Sequence, residues 1–414
     1  MNRKLLRAAG TALACAVFAV GLTACYVPKK IGATELTKGF SFMKETSDAS
    51  VADGVYEGLS NFGFTLLNGA VQESGAKNAM VSPLSAAACL GMIANGAEGQ
   101  TKAEFEVLLG AKTEDVNAAI AKTISESGDE VKIGDSVWLR KGAVEAEQPF
   151  LKTVKGYYNA EVYESAFDAK TLKDINNWCK NKTDGMIDNA LERIDGDHVI
   201  YLINALLFDA KWKNKYEKSD ISSRTFNGYN GNSSSVQMMY SEETVYLDFG
   251  NADGFLKSYL GDAYSFLGVL PREGTDVLDF ARSLDGEKYL SAFKNRTGRR
   301  VSAGIPEFSF DDSRQLKEIL TAAGLRKAFL PDAEFGAMGK CSGGNLYLDF
   351  VLQKTKIDVN RNGTKAAAIT IGGGKCESAA PEEKKKIVLD RPFMFGIVDN
   401  ATGLPLFLGI VTNL

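Results

Sequence analysis

Residues 351–380 read VLQKTKIDVNRNGTKAAAITIGGGKCESAA, a sequence with two contrasting parts. From Val351 to Val359 the odd positions are Val, Gln, Thr, Ile and Val, and charged residues alternate with the last four of them. Because successive side chains of a strand point to opposite faces, this pattern predicts a strand with one buried and one solvated face. The stretch from Gly363 to Ala380 is long, rich in small residues and free of proline, which is typical of a functional loop or of disorder.

Strand and helix patterns upstream predict a mixed α+β protein built around large sheets. Residues 199–208 are almost continuously apolar and rich in β-formers, so they predict a strand that is covered on both faces. Residues 264–270 and 300–310 have a similar pattern. Helices are predicted from the apolar repeat of Val55, Leu59, Phe62 and Leu66, from the capping pair Ser82-Pro83 before the run 84–93, and at 314–323.

The composition is that of an ordinary globular protein. The 414 residues are 45% hydrophobic and 24% charged, which provides ample apolar material for a large core. The net charge is −4, and acidic and basic residues are interspersed along the chain. This distribution has none of the basic clustering that nucleic-acid binding requires, so we expect no nucleic-acid partner.

Two features that resemble catalytic or cofactor sites are interpreted as structural. His198 is the one histidine of the chain, and no C-x-x-C pair occurs, which excludes the usual zinc patterns. No catalytic motif accompanies this histidine, so we interpret it as a capping or solvated residue. The run 372–375, Gly-Gly-Gly-Lys, lacks the spaced first glycine and the following Ser or Thr of a phosphate loop. We therefore expect no metal, no cofactor and no enzymatic activity.

The first residues have the features of a targeting signal. Arg3, Lys4 and Arg7 precede a short apolar run at 8–22, which is too short for a comfortable membrane span. The run closes with Leu-Thr-Ala-Cys at 22–25, which resembles the bacterial lipobox, in which the cysteine is lipidated and becomes the new N-terminus. The alternative is a plain secretory signal with an incidental cysteine.

The lipobox interpretation divides the chain into three parts: a signal peptide at 1–24, a lipid-anchored linker at 25–49 and a folded domain at 50–414. The linker is predicted because the sequence after Cys25 is polar, small and aperiodic. We expect the mature protein to be extracytoplasmic and anchored to the bacterial membrane or surface through lipid on Cys25.

Four further cysteines remain in the folded domain, namely Cys89, Cys179, Cys341 and Cys376. Outside the cytoplasm they could form disulfides, and the sequence leaves the pairing open. Buried or free thiols are the simplest interpretation.

Short motifs in fixed order resemble those of the serpin family. Asn-Gly-Thr-Lys-Ala-Ala-Ala at 362–368 is similar to the serpin hinge, and IVLDRPFMFGI at 387–397 is similar to the C-terminal signature. PLFLG at 405–409 resembles the strand that closes that fold. Upstream matches follow in the family's order: Asn78 with the run 81–85, Asn204 with Phe208 and Trp212, and the run 236–239. The resemblance covers about 50–414, essentially the whole predicted domain.

The resemblance implies an α+β fold with three β-sheets, eight or nine helices and an exposed reactive-centre loop. It also implies a monomeric serine protease inhibitor that acts as a suicide substrate. The protease cuts the loop and forms an acyl-enzyme, and the cut loop then inserts into the main sheet as a new strand. The alternative is a non-inhibitory serpin that acts as a binding protein.

The hinge carries side chains that suit insertion. By alternation, Thr364, Ala366, Ala368 and Thr370 would enter the core, and all are small or β-branched. Gly363 and Ala367 complete the hinge. Non-inhibitory members tend to carry obstructive residues here, and this sequence does not, which favours the inhibitor.

The resemblance also assigns roles in the main sheet. Ser82, Ser85 and Asn204 correspond to the shutter, where strands part, and Trp212 corresponds to the breach, where insertion begins. Asn204 stands out by itself as an amide inside an apolar strand, either a satisfied structural residue or a member of a polar switch. Gln353 replaces the usual shutter histidine, and its position on the buried face would let it bond Asn204 or Ser82.

The usual distance from hinge to reactive bond in serpins implies that the reactive bond lies between Glu377 and Ser378. The stretch that follows is longer than expected, so cleavage after Lys375 or Cys376 is an alternative. Glu377 with small neighbours favours elastase-like or Glu-accepting serine proteases as partners, and Lys375 would favour trypsin-like ones.

Overall fold

The helices form where apolar residues recur at helical spacing. The computed structural model of the chain describes residues 26–43, 51–195, 197–364 and 384–414. Val55, Leu59, Phe62 and Leu66 are all buried on one face of the first helix, as their spacing predicts. Within the described residues the α-helices are α1 (Val55–Ser74), α2 (Pro83–Ala94), α3 (Gly99–Leu109), α4 (Thr113–Glu126), α5 (Gln148–Tyr158), α6 (Ala169–Lys182), α7 (Val277–Ser283), α8 (Gly286–Lys294) and α9 (Lys317–Ala322).

The strands of the described residues are more numerous and many are short. They are β1 (Thr34–Glu35), β2 (Ala79–Val81), β3 (Val131–Arg140), β4 (Val144–Ala146), β5 (Glu161–Ser165), β6 (Ile200–Phe208), β7 (Ala210–Lys211), β8 (Ile221–Asn227), β9 (Ser233–Glu243), β10 (Tyr246–Asp248), β11 (Ala252–Ser258), β12 (Tyr264–Pro271), β13 (Val301–Pro306), β14 (Phe308–Gln315), β15 (Gly339–Cys341), β16 (Val351–Asn360), β17 (Gly363–Thr364), β18 (Lys385–Val388), β19 (Phe393–Asp399) and β20 (Pro405–Val411).

The largest sheet has eight strands and is covered on both faces around its centre. Its order is β1-β5-β3-β6-β16-β17-β7, and β14 pairs with β16 beside this path. All nine residues of β6 are buried, since α2 packs against one face and α6 against the other, as predicted from the apolar run. In β16 the residues at odd positions from Val351 to Val359 are buried and the intervening ones are not, which confirms the predicted alternation.

Three further sheets complete the described part of the chain. A six-stranded sheet has the order β10-β11-β12-β19-β20-β2, a four-stranded sheet has the order β18-β13-β9-β8, and β15 pairs with β4. The signature at 387–397 runs from the end of β18 into β19, and the run 405–409 lies within β20, where all seven residues are buried. Both motifs therefore contribute to the core.

Two local predictions are corrected by the structure. Helix α2 begins at Pro83 as predicted, but the Ser82 side chain does not cap it, because its hydroxyl donates to the Leu406 carbonyl at 2.8 Å. The helix predicted at 314–323 is shorter, since Arg314 and Gln315 continue β14 and the helix spans Lys317–Ala322. Pairing of Gln315 with Leu352 holds this end of β14 in the sheet.

The linker predicted at 25–49 is wrong for residues 26–43, which pack against the body of the protein. Thr34 and Glu35 form β1 on the outer edge of the largest sheet, antiparallel to β5. Thr37 is fully buried, and its hydroxyl accepts the Val162 backbone N–H at 3.2 Å. Composition alone suggested a free spacer, but backbone pairing and a few side-chain contacts fix this segment, which we call the N-terminal strap.

Candidate functional site: the hinge and seam of the main sheet

The hinge enters the main sheet as the short strand β17, between the C-terminal end of β16 and β7. Gly363 and Thr364 pair with Asn360 and Val359 on one side, and with β7 on the other. Gly363 has a φ of +153°, and a Cβ there would collide with a backbone carbonyl oxygen of β7, so only glycine fits. The Thr364 side chain is 2% exposed and shares a 2.6 Å hydrogen bond with the Tyr259 hydroxyl.

An aromatic cluster holds the hinge strand in place. Trp212 is buried and stacks on Tyr259, with ring centroids 4.6 Å apart. Its indole Nε1 donates to the Asn360 carbonyl at 2.8 Å, and its backbone N–H donates to the Asn362 carbonyl at 3.1 Å. Trp212, which the resemblance assigns to the breach, thus ties the end of β16 and the following turn to the sheet.

A buried ion pair lies beside this cluster. Lys257 is 1% exposed, and its Nζ contacts the Glu243 carboxylate at 3.0 Å. The same ammonium lies 5.4 Å from the centre of the Trp212 ring and 4.4 Å from that of Tyr216. The sequence analysis missed Tyr259, Lys257 and Glu243, because their partners are more than a hundred residues away or on other strands. A lysine inside the apolar strand pattern of β11 was the available signal.

A polar row crosses the seam between β6 and β16. Asp135, Asn204 and Gln353 are paired residues on three adjacent strands, β3, β6 and β16. Asn204 Nδ2 donates to Asp135 Oδ1 at 2.7 Å. Gln353 accepts the Ser82 backbone N–H at 3.0 Å and donates to the Ser82 carbonyl at 2.9 Å. Of the two partners expected for Gln353, the structure shows Ser82.

Burial makes Asp135 an unusual member of this row. Loss of solvent raises the pKa of its carboxyl to about 7, although the hydrogen bond from Asn204 and the positive charge of Lys182 oppose the shift. Asp135 Oδ2 and Asn204 Oδ1 are both buried and have no hydrogen-bond partner among the described residues. The sequence analysis missed Asp135, although it lies on the same face of β3 as the apolar residues Val131, Ile133 and Val137.

The other predicted site residues divide into two groups. Ser85 is buried in the first turn of α2. The residues Cys25, Ala366, Ala367, Ala368, Lys375, Cys376, Glu377 and Ser378 lie outside the described residues. The chain leaves the main sheet after β17 and returns as β18 in the four-stranded sheet, so the predicted reactive loop connects two different sheets.

The thiols and the histidine show structural environments. Cys89, Cys179 and Cys341 are free thiols, and burial raises the pKa of Cys179 to about 12. His198 Nε2 lies 2.8 Å from an Asp349 carboxylate oxygen and its ring packs on Tyr201, so it is a structural residue just before β6. Among the described residues, no cluster of three or more potential ligands could hold a metal ion.

Comparison with known proteins identifies the family. A family model described as Serpin (serine protease inhibitor) matches residues 57–414. The chain is a serpin. The serpin fold predicted from the sequence is confirmed, with three large sheets, one small two-stranded sheet and nine α-helices in the described part. Serpins are mostly protease inhibitors rather than enzymes.

Relatives cover almost the whole serpin. Glia-derived nexin of Mus musculus is 32% identical over 374 residues, which are 86% of this chain and 92% of that protein. The native state of a thermophilic serpin, tengpin, is 35% identical and superposes with a TM-score of 0.85 over 92% of this chain and all of that one. Tengpin in the latent state superposes with a lower TM-score of 0.78 over 88% of this chain and 99% of that one. This serpin is therefore closer in conformation to the native state of tengpin.

Proposed function

We propose that this serpin inhibits serine proteases as a suicide substrate. The observation that carries the proposal is β17, which is antiparallel both to β16 and to β7. If β17 were extended beyond Thr364, the new residues would run along β16 from Val359 towards Val351. They would then lie between β16 and β6 and be antiparallel to both, since those two strands are parallel. The first residues of the hinge therefore already have the pairing that a fully inserted loop would extend.

The seam that must open is narrow. Strands β6 and β16 are paired only from Val351 to Lys354, against Leu202 to Ala205. Each backbone hydrogen bond adds about 1 kcal/mol net, so these four residue pairs offer much less than the roughly ten new bonds of an inserted loop. Polar groups of the row on either side of the seam have their own partners, Asp135 for Asn204 and Ser82 for Gln353. Opening the seam breaks neither of these hydrogen bonds.

The chemistry of trapping follows from the position of the loop between two sheets. The serine of the protease would attack the carbonyl of Glu377, and the amine of Ser378 would leave with the proton that the protease transfers to it. The part that ends at Glu377 stays bound to the protease as an ester. Insertion of the residues after Thr364 into the main sheet then moves that ester away from its starting position, before water can hydrolyse it.

The identity of the target follows from the bond that is cut. Cleavage after Glu377 supports elastase-like or Glu-accepting proteases as targets. Cleavage after Lys375 would support trypsin-like proteases, because an acidic specificity pocket pairs with lysine.

We also propose that lipid on Cys25 anchors this serpin to the outside of a bacterial membrane. The support is the lipobox-like run at 22–25. No helix within the described part of the chain is long and apolar enough to cross a bilayer.

The test is incubation of the protein with a panel of serine proteases, followed by denaturing electrophoresis. We expect a complex that survives SDS with at least one elastase-like or Glu-accepting member. Mass spectrometry of the released C-terminal fragment identifies the bond, since its first residue is Ser378 for cleavage after Glu377. If every protease cuts the loop and stays active, the chain is a substrate or a binding protein and the inhibitor proposal is wrong.

A further inference from the structure

We propose that the face formed by the N-terminal strap and α6 lies directly against an anionic membrane surface. This inference rests on the proposed lipid anchor at Cys25. It adds what the anchor alone does not imply, which is a fixed orientation of the protein and a lipid-binding surface.

The strap is clamped to α6 immediately after the anchor position. The Tyr26 hydroxyl donates to Asn181 Oδ1 at 2.9 Å. The amide of Asn181 also accepts the Lys29 backbone N–H and donates to the Lys29 carbonyl, each at 2.7 Å. Further along, Asn177 donates to the Lys30 carbonyl at 3.4 Å, and Gly32 lies against the Lys170 side chain. The strap therefore follows one stripe of α6 from its C-terminal end to its first turn.

This clamp leaves almost no tether between the lipid and the body. Consecutive Cα atoms are about 3.8 Å apart, so a lipid on Cys25 begins one residue away from Tyr26, which is already bonded to α6. Acyl chains in a bilayer would hold the end of α6 at the headgroup level. A free linker of the predicted length would instead allow the body to rotate and move away.

The charge of this face suits an anionic surface. The strap and α6 together contain seven lysines, of which Lys182 is ion-paired with Glu161 of β5, and two acidic residues, whereas the whole chain has a net charge of −4. Lys29 and Lys30 are exposed, and so is Val27, at 73%, directly beside the anchor position. On α6, Lys173 and Lys180 are seven residues apart and so share a stripe, away from the buried residues of that helix. Exposed lysines beside an apolar residue are typical of a surface that binds anionic headgroups.

Vesicle binding by the chain with Cys25→Ser tests the surface without the anchor. We expect binding to vesicles of phosphatidylglycerol and phosphatidylcholine, and much less to phosphatidylcholine alone. Lys29→Gln with Lys30→Gln should weaken binding by about 25-fold, because each lysine near such a surface contributes about fivefold. The matched control is Lys288→Gln with Lys294→Gln, which removes the same charge from α8, and it should change binding less than twofold. Helix α8 packs on α1, whereas α6 packs on β6 and β3.

Three outcomes would overturn the proposal. The first is equal weakening by the two pairs of substitutions, since the surface would then be unspecific. The second is no binding to anionic vesicles. The third is binding of a soluble sulfated polysaccharide that depends on Lys29 and Lys30 without any vesicle binding, which would identify a polyanion as the occupant.

A second measurement tests the missing tether in the lipidated chain. A fluorophore on Thr34→Cys should be quenched by a headgroup quencher, and one on Ser291→Cys of α8 should not, in a background with Cys341→Ser and Cys376→Ser. A flexible insert of 15 Gly and Ser residues after Cys25 should abolish the difference in zwitterionic vesicles, since it spans about 20 Å. Equal quenching at both positions without the insert contradicts the proposed orientation. Mass spectrometry at Cys25 reports separately whether the anchor itself exists.

Discussion

A substitution of Thr364 is the most direct test of the proposed inhibitory mechanism. It is the buried second residue of β17 and shares a hydrogen bond with the Tyr259 hydroxyl. Burial of a guanidinium in place of the Thr364 side chain would cost several kcal/mol, so Thr364→Arg should keep the hinge out of the sheet and slow insertion after cleavage by orders of magnitude. Acyl-enzyme hydrolysis would then win. We expect cleavage of the loop within about twofold of the parent rate and loss of the SDS-resistant complex, both measured on one gel.

The matched control for this prediction is Thr364→Val. Valine has the same shape and loses only the hydrogen bond to Tyr259, so it should retain most of the complex. If the Arg variant forms as much complex as the parent, Thr364 is not on the path of insertion and the hinge assignment is wrong.

Asp135 gives the main sheet a predictable pH dependence. Burial raises the pKa of its carboxyl to about 7 in the folded protein, from an ordinary value of 3.8. A folded-state pKa above the unfolded one means that the protonated form stabilises the fold, and that this contribution is lost as pH rises through 7. Asp135 Oδ2 and Asn204 Oδ1 are the two buried acceptors of the row without a partner, and a proton on the Asp135 carboxyl would remove one of them. Burial raises the pKa of Cys89 of α2 and that of Tyr158 of α5, and the charge of Asp135 adds to both shifts. The positive charge of Lys182 of α6 opposes the rise in the pKa of Asp135.

The corresponding test is Asp135→Asn, in which an amide can donate to Asn204 Oδ1 and accept from Asn204 Nδ2. Between pH 5 and pH 8 the free energy of unfolding of the parent should fall by about 3 kcal/mol relative to that of the variant. Denaturant titrations at the two pH values measure this difference. Parallel pH profiles for the two proteins would show that Asp135 titrates as an ordinary carboxyl.

At the residue scale the sequence identifies positions better than partners. Alternation correctly places Gln353 on the buried face, and the apolar run marks Asn204 as unusual. Their partners, the Ser82 backbone and Asp135, are 271 and 69 residues away, and no local pattern indicates such contacts. Ser82 is a further example. The local capping rule correctly predicts that a helix begins directly after Ser82, but it does not predict the hydrogen bond from the Ser82 hydroxyl to the Leu406 carbonyl.

At the element scale, the proposed insertion requires that the pairing of β6 with β16 opens. Ile203 and Leu352 are direct partners across this seam. Neighbouring strands lie about 4.8 Å apart, which is within the Cα separation that a disulfide tolerates. We expect Ile203→Cys with Leu352→Cys, in a Cys179→Ala background, to lock the seam. The oxidised protein should be cleaved as a substrate without forming a stable complex.

The reduced form of the same double variant is the control. Adding dithiothreitol should restore the covalent complex, because the two thiols alone leave the seam free to part. Complex formation by the oxidised protein, with the disulfide verified by mass spectrometry, would mean that insertion does not use this seam.

Element predictions succeed where periodicity is long and fail where pairing is non-local. The nine buried residues of β6 and the alternation of β16 follow from the sequence alone. β1 has only two residues and exists because β5 offers an edge, so composition assigned it to a linker. The end of β14 was assigned to a helix, since Arg314 and Gln315 favour helices until pairing with β16 overrides that preference.

At the scale of the whole molecule, the proposed mechanism requires that lengthening of β17 stabilises the protein. β17 contributes two residues between β16 and β7. Further along β16, this strand pairs directly with β6 over only four residue pairs. Composition and periodicity predict an α+β protein with large sheets, but they contain no information on this unfinished strand. That feature follows from the order of motifs along the chain and from the structure.

Cleavage within the predicted loop should therefore make the protein more stable. Roughly ten added ladder bonds at about 1 kcal/mol each give on the order of 10 kcal/mol. For the 365 residues of the domain, an unfolding entropy of about 2.1 cal/mol/K per residue converts this into a rise in Tm of about 13 °C. Scanning calorimetry of intact and cleaved protein measures the shift. Cleaved Thr364→Arg is the control and should gain little, because its loop is cut but cannot enter the sheet. A parent protein that melts at the same temperature before and after cleavage would mean that β17 does not extend, and the insertion mechanism would be wrong.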